Sequence, residues 1–147
     1  MGRLFLVPKK GKVPYRVITD YRALNDITIK SSYPIPNIIT LLDRLRQATI
    51  FTKLDLKGAY QLLRIRVGDE HKAAIRTRYG TFESLVVRDG LCNAPASFRF
   101  FLNDIFHDLL DKGVIIYLDD ITKYTEGHDK HQELVHEVLK RLKATCG

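Results

Sequence analysis

Two shortages in this sequence exclude whole classes of protein: it has few cysteines and no long hydrophobic run. Cys92 and Cys146 are the two cysteines among 147 residues. Their spacing fits no metal-ligand pattern, so we expect reduced thiols in an intracellular protein. The longest apolar run is Val114–Leu118, far short of the roughly 20 residues that span a bilayer. The first residues also lack the apolar core of a signal peptide.

Positive charge, by contrast, is in excess. The formal net charge is +7 at pH 7 and the sequence pI is about 9.5. This balance favours a polyanionic partner, either a nucleic acid or an anionic membrane surface. Hydrophobic residues make up 45% and charged residues 28%, as is typical of one compact globular domain of this length.

Short apolar runs alternate with stretches of helical periodicity. Strands are predicted over Arg3–Val7, Tyr15–Thr19, Ile50–Leu56, Ala73–Thr77, Phe82–Val87, Val114–Leu118 and Ile121–Thr125. Helices are predicted over Ile38–Leu45, from Asn93 to a C-cap at Gly113, and through Leu134–Leu142. The pattern predicts an α+β fold in which helices pack on an antiparallel sheet.

Acidic residues stand at the ends of two predicted strands. Asp119 and Asp120 follow Val114–Leu118, and Asp55 ends another strand between two leucines. On spacing alone a solvated turn is the favoured explanation of the first pair, but a carboxylate in a strand, such as Asp55, is costly unless it is paired or bound to metal. If the strands are neighbours, Asp55 meets Asp119, and two such charges ~4 Å apart repel by about 4 kcal/mol. A divalent cation such as Mg²⁺ cancels this repulsion.

Four motifs follow one another in the sequence: Asp20–Asn25, Leu54–Tyr60, Gly90–Phe98 and Tyr117–Asp120. In this order and spacing they resemble those of the reverse transcriptases of long-terminal-repeat retrotransposons of the Ty3/gypsy type, with retroviral enzymes more distant. The resemblance covers nearly the whole chain. It implies a polymerase palm-and-fingers fold, with fingers over roughly residues 1–50 and 64–90 and palm over roughly residues 51–63 and 91–147. The thumb and the RNase H domain are expected to lie outside this chain.

The resemblance implies an RNA-directed DNA polymerase that adds deoxynucleotides to a primer 3′ end by two-metal chemistry. It assigns the catalytic and metal-binding roles to Asp55, Asp119 and Asp120, with the Leu56 carbonyl as a further metal ligand. The implied cofactor is a pair of Mg²⁺ ions, for which Mn²⁺ can substitute.

The resemblance also implies a set of residues around the incoming triphosphate, namely Lys9, Arg16, Leu56, Lys57, Gly58, Ala59, Tyr60, Asp89 and Gly90. Arg16 and Lys9 grip the phosphates, because a guanidinium bonds phosphate oxygens bidentately; Lys10 competes with Lys9 for this role, and a solvated basic loop is the alternative. Tyr60 is the gate that excludes a sugar 2′-hydroxyl, or else a core aromatic.

Two departures from the family pattern motivate a second hypothesis. Asp89 stands where an aromatic residue or Gln normally lines the nucleotide pocket, and its carboxylate repels a triphosphate unless it is paired, for example with Arg88. Lys123 lies on a strand that is normally buried. The alternative is therefore a catalytically incomplete descendant that binds nucleic acid or a protein partner.

The expected partners are template-primer nucleic acid, either RNA/DNA or DNA/DNA, deoxynucleoside triphosphates, and the thumb and RNase H segments of a longer polyprotein. No membrane partner is expected. The resemblance implies an intracellular location, in a cytoplasmic particle or the nucleus.

Overall fold

The computed structural model describes residues 2–8, 15–33, 37–46, 48–117 and 120–146, and within them it leaves the side chains of Arg16, Ile38 and Cys146 undescribed. The strands are β1 (Gly2–Pro8), β2 (Tyr15–Asp20), β3 (Ile50–Asp55), β4 (Ile75–Thr77), β5 (Gly80–Phe82), β6 (Val114–Tyr117) and β7 (Asp120–Thr125). The helices are α1 (Arg22–Ile27), α2 (Ile38–Leu45), α3 (Ala94–Phe106) and α4 (His128–Cys146), with single 3₁₀ turns at Ala59–Leu62 and Glu70–Ala73.

The chain divides into two compact units. The first contains Met1–Ser31 and Gly58–Pro95, and the second contains Ser32–Lys57 and Ala96–Gly147. This division differs from the sequence-based ranges chiefly at residues 32–50. These residues belong to the second unit because Leu41 and Leu45 of α2 line a groove with Ile115 of β6.

The first unit is built on a sheet with strand order β2-β1-β4-β5. The predicted hairpin is confirmed, since β1 pairs antiparallel with β2 from Arg3 opposite Asp20 to Pro8 opposite Tyr15. The parallel pairing of β1 with β4 was not predicted. Directly after β2, Tyr21 is buried, and its hydroxyl donates a hydrogen bond of 2.9 Å to the Ala73 carbonyl.

The strand predicted over Phe82–Val87 is wrong for most of its length. β5 ends at Phe82, and the following residues form one isolated bridge, between Arg64 and Val86. Main-chain bonds from Ile65 to Leu85 and from Val87 to Leu63 flank this bridge. The segment is therefore tied down without becoming a continuous strand.

The second unit is built on an antiparallel sheet with strand order β3-β7-β6. The predicted β6–β7 hairpin is confirmed. One face of the sheet is covered by helices, and its core consists of side chains with no exposed surface: Phe98, Leu102, Phe106, Val114, Ile121 and Val138. The helix predicted to reach a C-cap at Gly113 ends instead at Phe106, because the chain turns there to enter β6.

Helix α4 is held against the end of α3 by one arginine. The Arg141 guanidinium donates to Asp108 at 2.9 Å, to Glu137 at 2.7 Å and to the Ile105 carbonyl at 3.1 Å. The hydrogen bonds from Arg141 lower the pKa of Asp108 to about 2. None of the described helices is long and apolar enough to cross a membrane.

Lys123 is an unusual member of the second core. Its side chain has no exposed surface, and its register neighbours are Thr52 on β3 and Val114 on β6. Within the described residues its Nζ has no hydrogen-bond partner. Burial lowers the pKa of this amine to about 8, because the charged form loses its hydration.

Candidate functional site

Two carboxylates meet at the end of the second unit's sheet. Strand β3 pairs with β7 so that Asp55 stands directly opposite Asp120, and Asp120 is also opposite Tyr117 on β6. Residues opposed in an antiparallel pair project to the same face, with Cβ atoms about 4.5–5.5 Å apart. The neighbour expected for Asp55 was Asp119, which lies outside the described residues; the residue that the register places across from Asp55 is Asp120.

One cation lies against this pair. The Lys53 Nζ is 2.7 Å from Asp120 Oδ2, and the Asp120 side chain is 30% exposed. Lys53 precedes Asp55 by two positions on β3, so both side chains project to the same face. Within the described part of the chain, no hydrogen bond or ion pair reaches the exposed Asp55 carboxylate. Lys53 is thus ion-paired with Asp120, and Asp55 adds a second negative charge beside this pair.

The donor set at this end of the sheet fits a hard divalent cation. Asp55 and Asp120 offer carboxylate oxygens and Leu56, directly after β3, offers a carbonyl, which are the ligands that Mg²⁺ prefers. In the ranges that the structure describes, no three His, Cys, Asp or Glu side chains form a complete metal cluster. The described residues are therefore compatible with part of the predicted metal site, and the remaining predicted ligand, Asp119, adjoins Asp120 in the sequence.

The residues that follow Lys57 form a tight turn in the first unit. Gly58 has φ of +69°, a left-handed conformation that favours glycine, and its carbonyl accepts a hydrogen bond of 2.9 Å from the Gln61 amide. Ala59 is buried and Tyr60 is half-buried. The predicted nucleotide residues are thus consecutive at one 3₁₀ turn, with Gly58 as its N-cap and Ala59 and Tyr60 as its first two residues.

Asp89 and Gly90 belong to a second turn of the first unit. Gly90 has φ of +100°, and a Cβ added to it would lie 3.0 Å from the Thr19 carbonyl oxygen. Asn25 holds this turn: its Nδ2 donates to the Gly90 carbonyl at 2.8 Å, and its Oδ1 accepts from the Cys92 amide at 2.9 Å. Asn25 was not among the functional residues predicted from the sequence, although it closes the Asp20–Asn25 motif.

The remaining predicted residues are described only in part. Arg16 lies on β2 opposite Val7, and its side chain is undescribed. Lys9 and its competitor Lys10 lie outside the described residues. Nearby on β2, the hydrogen bonds of Arg22 to Asp20 lower the pKa of that carboxyl to about 2.

The comparisons with known proteins identify the class. Residues 7–146 match the family model described as reverse transcriptase (RNA-dependent DNA polymerase). The chain therefore belongs to the reverse transcriptase family, as its motifs predicted.

The curated relatives are transposon polyproteins. The chain is 43% identical over 140 residues to the Transposon Tf2-3 polyprotein of Schizosaccharomyces pombe (strain 972 / ATCC 24843). It is 42% identical over 140 residues to the Transposon Tf2-7 polyprotein of the same strain. Each match covers 95% of this chain and 10% of the relative. The chain thus spans about a tenth of the length of these relatives, and the predicted retrotransposon kinship is confirmed.

Solved structures confirm the predicted fold. The foamy viral protease-reverse transcriptase in complex with double-stranded DNA superposes with a TM-score of 0.86 at 22% identity, over 99% of this chain and 25% of that chain. The same viral protein in complex with an RNA/DNA hybrid gives a TM-score of 0.86 at 23% identity, over 99% of this chain and 19% of that chain. The α+β palm-and-fingers architecture is therefore established.

Proposed function

We propose that this chain is the catalytic core of an RNA-directed DNA polymerase, which adds deoxynucleotides to the 3′ end of a primer. The observation that carries the proposal is the register of β3 against β7, which sets Asp55 opposite Asp120 in a chain of the reverse transcriptase family. Two opposed carboxylates, of which Asp120 is ion-paired with Lys53, create a local demand for a further cation. A divalent cation held by these carboxylates could neutralise the charge that develops during phosphoryl transfer.

The proposed cofactor is a pair of Mg²⁺ ions, with Mn²⁺ as a substitute. Asp55, Asp119 and the Leu56 carbonyl would hold them, with Asp120 as a supporting carboxylate. When bound, such ions activate a primer 3′-hydroxyl and neutralise charge on the leaving pyrophosphate. The chain's own contribution is positional: β3 and β7 fix the carboxylates on rigid strands, and Lys53 limits the repulsion between them before substrate arrives.

The proposed nucleotide-binding residues include a turn of the first unit. Gly58 is left-handed and has no side chain, so a ligand can approach the main chain closely there. This supports a role for the amides of Lys57, Gly58 and Ala59 in binding phosphate oxygens. Tyr60 is proposed as the gate against a 2′-hydroxyl, and its half-buried ring suits a fixed steric barrier. Asp89 and Gly90 are proposed to line the same pocket, and Lys9 and Arg16 to bind the triphosphate.

Template-primer nucleic acid is the proposed macromolecular partner. The net charge of +7 supports it, since basic residues bind the phosphate backbone by releasing its counterions. A foamy viral relative in fold has been solved with double-stranded DNA and with an RNA/DNA hybrid. We extend this to propose that the first unit acts as fingers and the second as palm, alongside further segments of a polyprotein.

Single-nucleotide incorporation on a primed RNA template tests the proposal. The chain is incubated with a labelled primer, one deoxynucleoside triphosphate and Mg²⁺, and then with Mn²⁺. We expect incorporation that obeys the template base and falls at least about 10³-fold in Asp55→Asn, because a metal ligand contributes several kcal/mol to the transition state. A folded wild-type chain that incorporates nothing with either metal would contradict the proposal.

A further inference from the structure

The Asp20–Asn25 motif identifies the family, yet the proposed chemistry gives it no task. In the structure the last residue of the motif, Asn25, uses both the nitrogen and the oxygen of its side-chain amide to form hydrogen bonds with one turn, at residues 90–92. The Asn25 Nδ2 donates to the Gly90 carbonyl at 2.8 Å, and the Cys92 amide donates to Asn25 Oδ1 at 2.9 Å. Asn25 and Gly90 also line a common surface cavity of about 460 Å³, so the turn that Asn25 holds is open to a ligand.

The turn depends on Asn25 because of the backbone conformation of Gly90 and its close approach to β2. Gly90 has φ of +100°, and its Cα approaches the main chain of β2 so closely that an added Cβ would lie 3.0 Å from the Thr19 carbonyl oxygen. The Gly90 carbonyl and the Cys92 amide therefore face Asn25 rather than a strand. Without Asn25, both polar groups would depend on solvent.

A second asparagine ties the same two segments together. Asn93 donates from Nδ2 to the Ile29 carbonyl at 2.9 Å, and its Oδ1 accepts from the Ser31 amide at 2.9 Å. Asn25 reaches across to residues 90–92, and Asn93 reaches back to residues 29–31. Two side-chain amides thus join the segment after β2 to the segment before α3.

We propose that Asn25 is a positioning residue that fixes the Asp89–Gly90 turn in its substrate-binding shape and thereby sets the affinity for the incoming deoxynucleoside triphosphate. The inference rests on the proposed function, because it takes Asp89 and Gly90 as part of the nucleotide site. Asn25 acts through the turn and does not touch the reacting atoms. Its loss should weaken nucleotide binding much more than it slows chemistry.

The side-chain chemistry of Asn25 allows its two hydrogen bonds to be separated. Asn25→Asp keeps an acceptor for the Cys92 amide but replaces the donor to the Gly90 carbonyl with a repelling oxygen. Asn25→Ala removes both. Asn103→Asp is the matched control, because Asn103 Nδ2 donates to the Tyr33 hydroxyl oxygen at 2.6 Å in the second unit, and a carboxylate there can instead accept from that hydroxyl.

Two readouts test the inference. In single-nucleotide incorporation, we expect the KM for the deoxynucleoside triphosphate to rise about tenfold in both Asn25 variants, since one hydrogen bond to a fixed loop is worth about a factor of ten. The kcat should stay within about threefold. In amide hydrogen exchange, the Cys92 amide should exchange about tenfold faster in Asn25→Ala. It should remain protected in Asn25→Asp and in the Asn103→Asp control.

The possible failures can be told apart. An active wild type whose KM is unchanged in both Asn25 variants overturns the inference and leaves the proposed function standing. Unchanged Cys92 exchange in Asn25→Ala overturns it as well. An inactive wild type overturns the proposed function and the inference with it. A fall in kcat at constant KM would assign Asn25 to the chemical step and contradict a positioning role.

Discussion

Asp55 and Asp120 stand directly opposite each other on neighbouring antiparallel strands, at the end of the sheet formed by β3, β7 and β6. Lys53, two positions before Asp55, is ion-paired with Asp120 at 2.7 Å. The two carboxylates are therefore unequal: one is shared with an ammonium, and the other is exposed. This inequality leads to different expectations for the two residues.

Asp120→Asn is expected to be milder than Asp55→Asn. Because Asp120 is engaged by Lys53, we expect its carboxylate to support the metal site rather than dominate it, and supporting residues typically contribute 10- to 100-fold. Incorporation should therefore fall by roughly 10- to 100-fold in Asp120→Asn, and by at least about 10³-fold in Asp55→Asn. Single-turnover nucleotide incorporation at saturating Mg²⁺ measures both.

Asp104→Asn is the control for this comparison, because Asp104 is an exposed carboxylate on α3. Its incorporation rate should match that of the wild type. Equal losses in Asp55→Asn and Asp120→Asn would contradict the unequal roles.

Removing Lys53 should increase the effect of divalent cations on stability. In Lys53→Gln the two facing carboxylates lose their ammonium, so Mg²⁺ binds without a competitor. We expect up to about fivefold tighter binding, since an exposed ion pair contributes at most about 1 kcal/mol. The unfolding temperature, measured across a Mg²⁺ titration, reports this affinity. Tighter binding appears as a lower Mg²⁺ concentration at half of the maximal temperature shift.

Lys140→Gln is the matched control, because Lys140 is an exposed lysine of α4 and has no part in the Asp120 ion pair. Its half-saturating Mg²⁺ concentration in the thermal titration should stay close to that of the wild type. A Lys53→Gln protein with the wild-type Mg²⁺ response would show that no cation competes for Asp120.

Lys123→Met should stabilise the second unit at neutral pH. Burial lowers the pKa of Lys123 from 10.5 to about 8, so between these values the unfolded chain binds more protons and stability rises with pH. Below about pH 8 the fold contains a buried ammonium. We expect Lys123→Met to gain about 2 kcal/mol in free energy of unfolding at pH 7, and to lose this advantage at pH 10 and above.

Denaturant unfolding at pH 7 and pH 10 measures the difference, with Lys140→Met as the control because Lys140 is exposed on α4. That variant should show little change at either pH. A Lys123→Met protein less stable than the wild type at pH 7 would mean that the buried amine has a stabilising partner.

Sequence patterns predicted most of this architecture because most elements obey a simple periodicity. The β1–β2 hairpin, α2 and the β6–β7 hairpin follow alternating or helical apolar spacing, and each was found where expected. The predictions failed where tertiary contacts overrode local pattern. The segment after Phe82 has strand-like composition, but it pairs with the segment around Arg64 at one isolated bridge, between Arg64 and Val86.

In the candidate site, too, some features could be predicted from the sequence and others depend on tertiary contacts. Its acidic residues could be found from sequence, because a carboxylate beside leucines on a strand is uncommon. The carboxylate that faces Asp55 could not be identified from the sequence, because it depends on the register of the paired strands. A shift of one residue in that register moves every side chain to the other face. The role of Asn25 was equally hidden, because it rests on contacts with residues 90–92, more than 60 positions away in the sequence.

Replacing Asp89 should strengthen nucleotide binding. Its exposed carboxylate lies in the proposed triphosphate pocket, where like charge repels. Asp89→Phe should lower the KM for a deoxynucleoside triphosphate about threefold or more, which corresponds to removing one screened charge at ~6 Å. Asp89→Asn removes the charge without adding an aromatic ring. A similar fall in KM in both variants therefore identifies charge repulsion as the cause. An unchanged KM in both would remove Asp89 from the nucleotide site.

The most direct test of the metal-site assignment is the line broadening that Mn²⁺ causes in the amide signals of the chain, with a deoxynucleoside triphosphate present. The facing carboxylates predict that the signals of Asp55 and Asp120 broaden first, that Asp55→Asn abolishes this effect, and that Asp104→Asn preserves it. Broadening that spares the ends of β3 and β7, or that persists unchanged in Asp55→Asn, would contradict a metal centre at these residues.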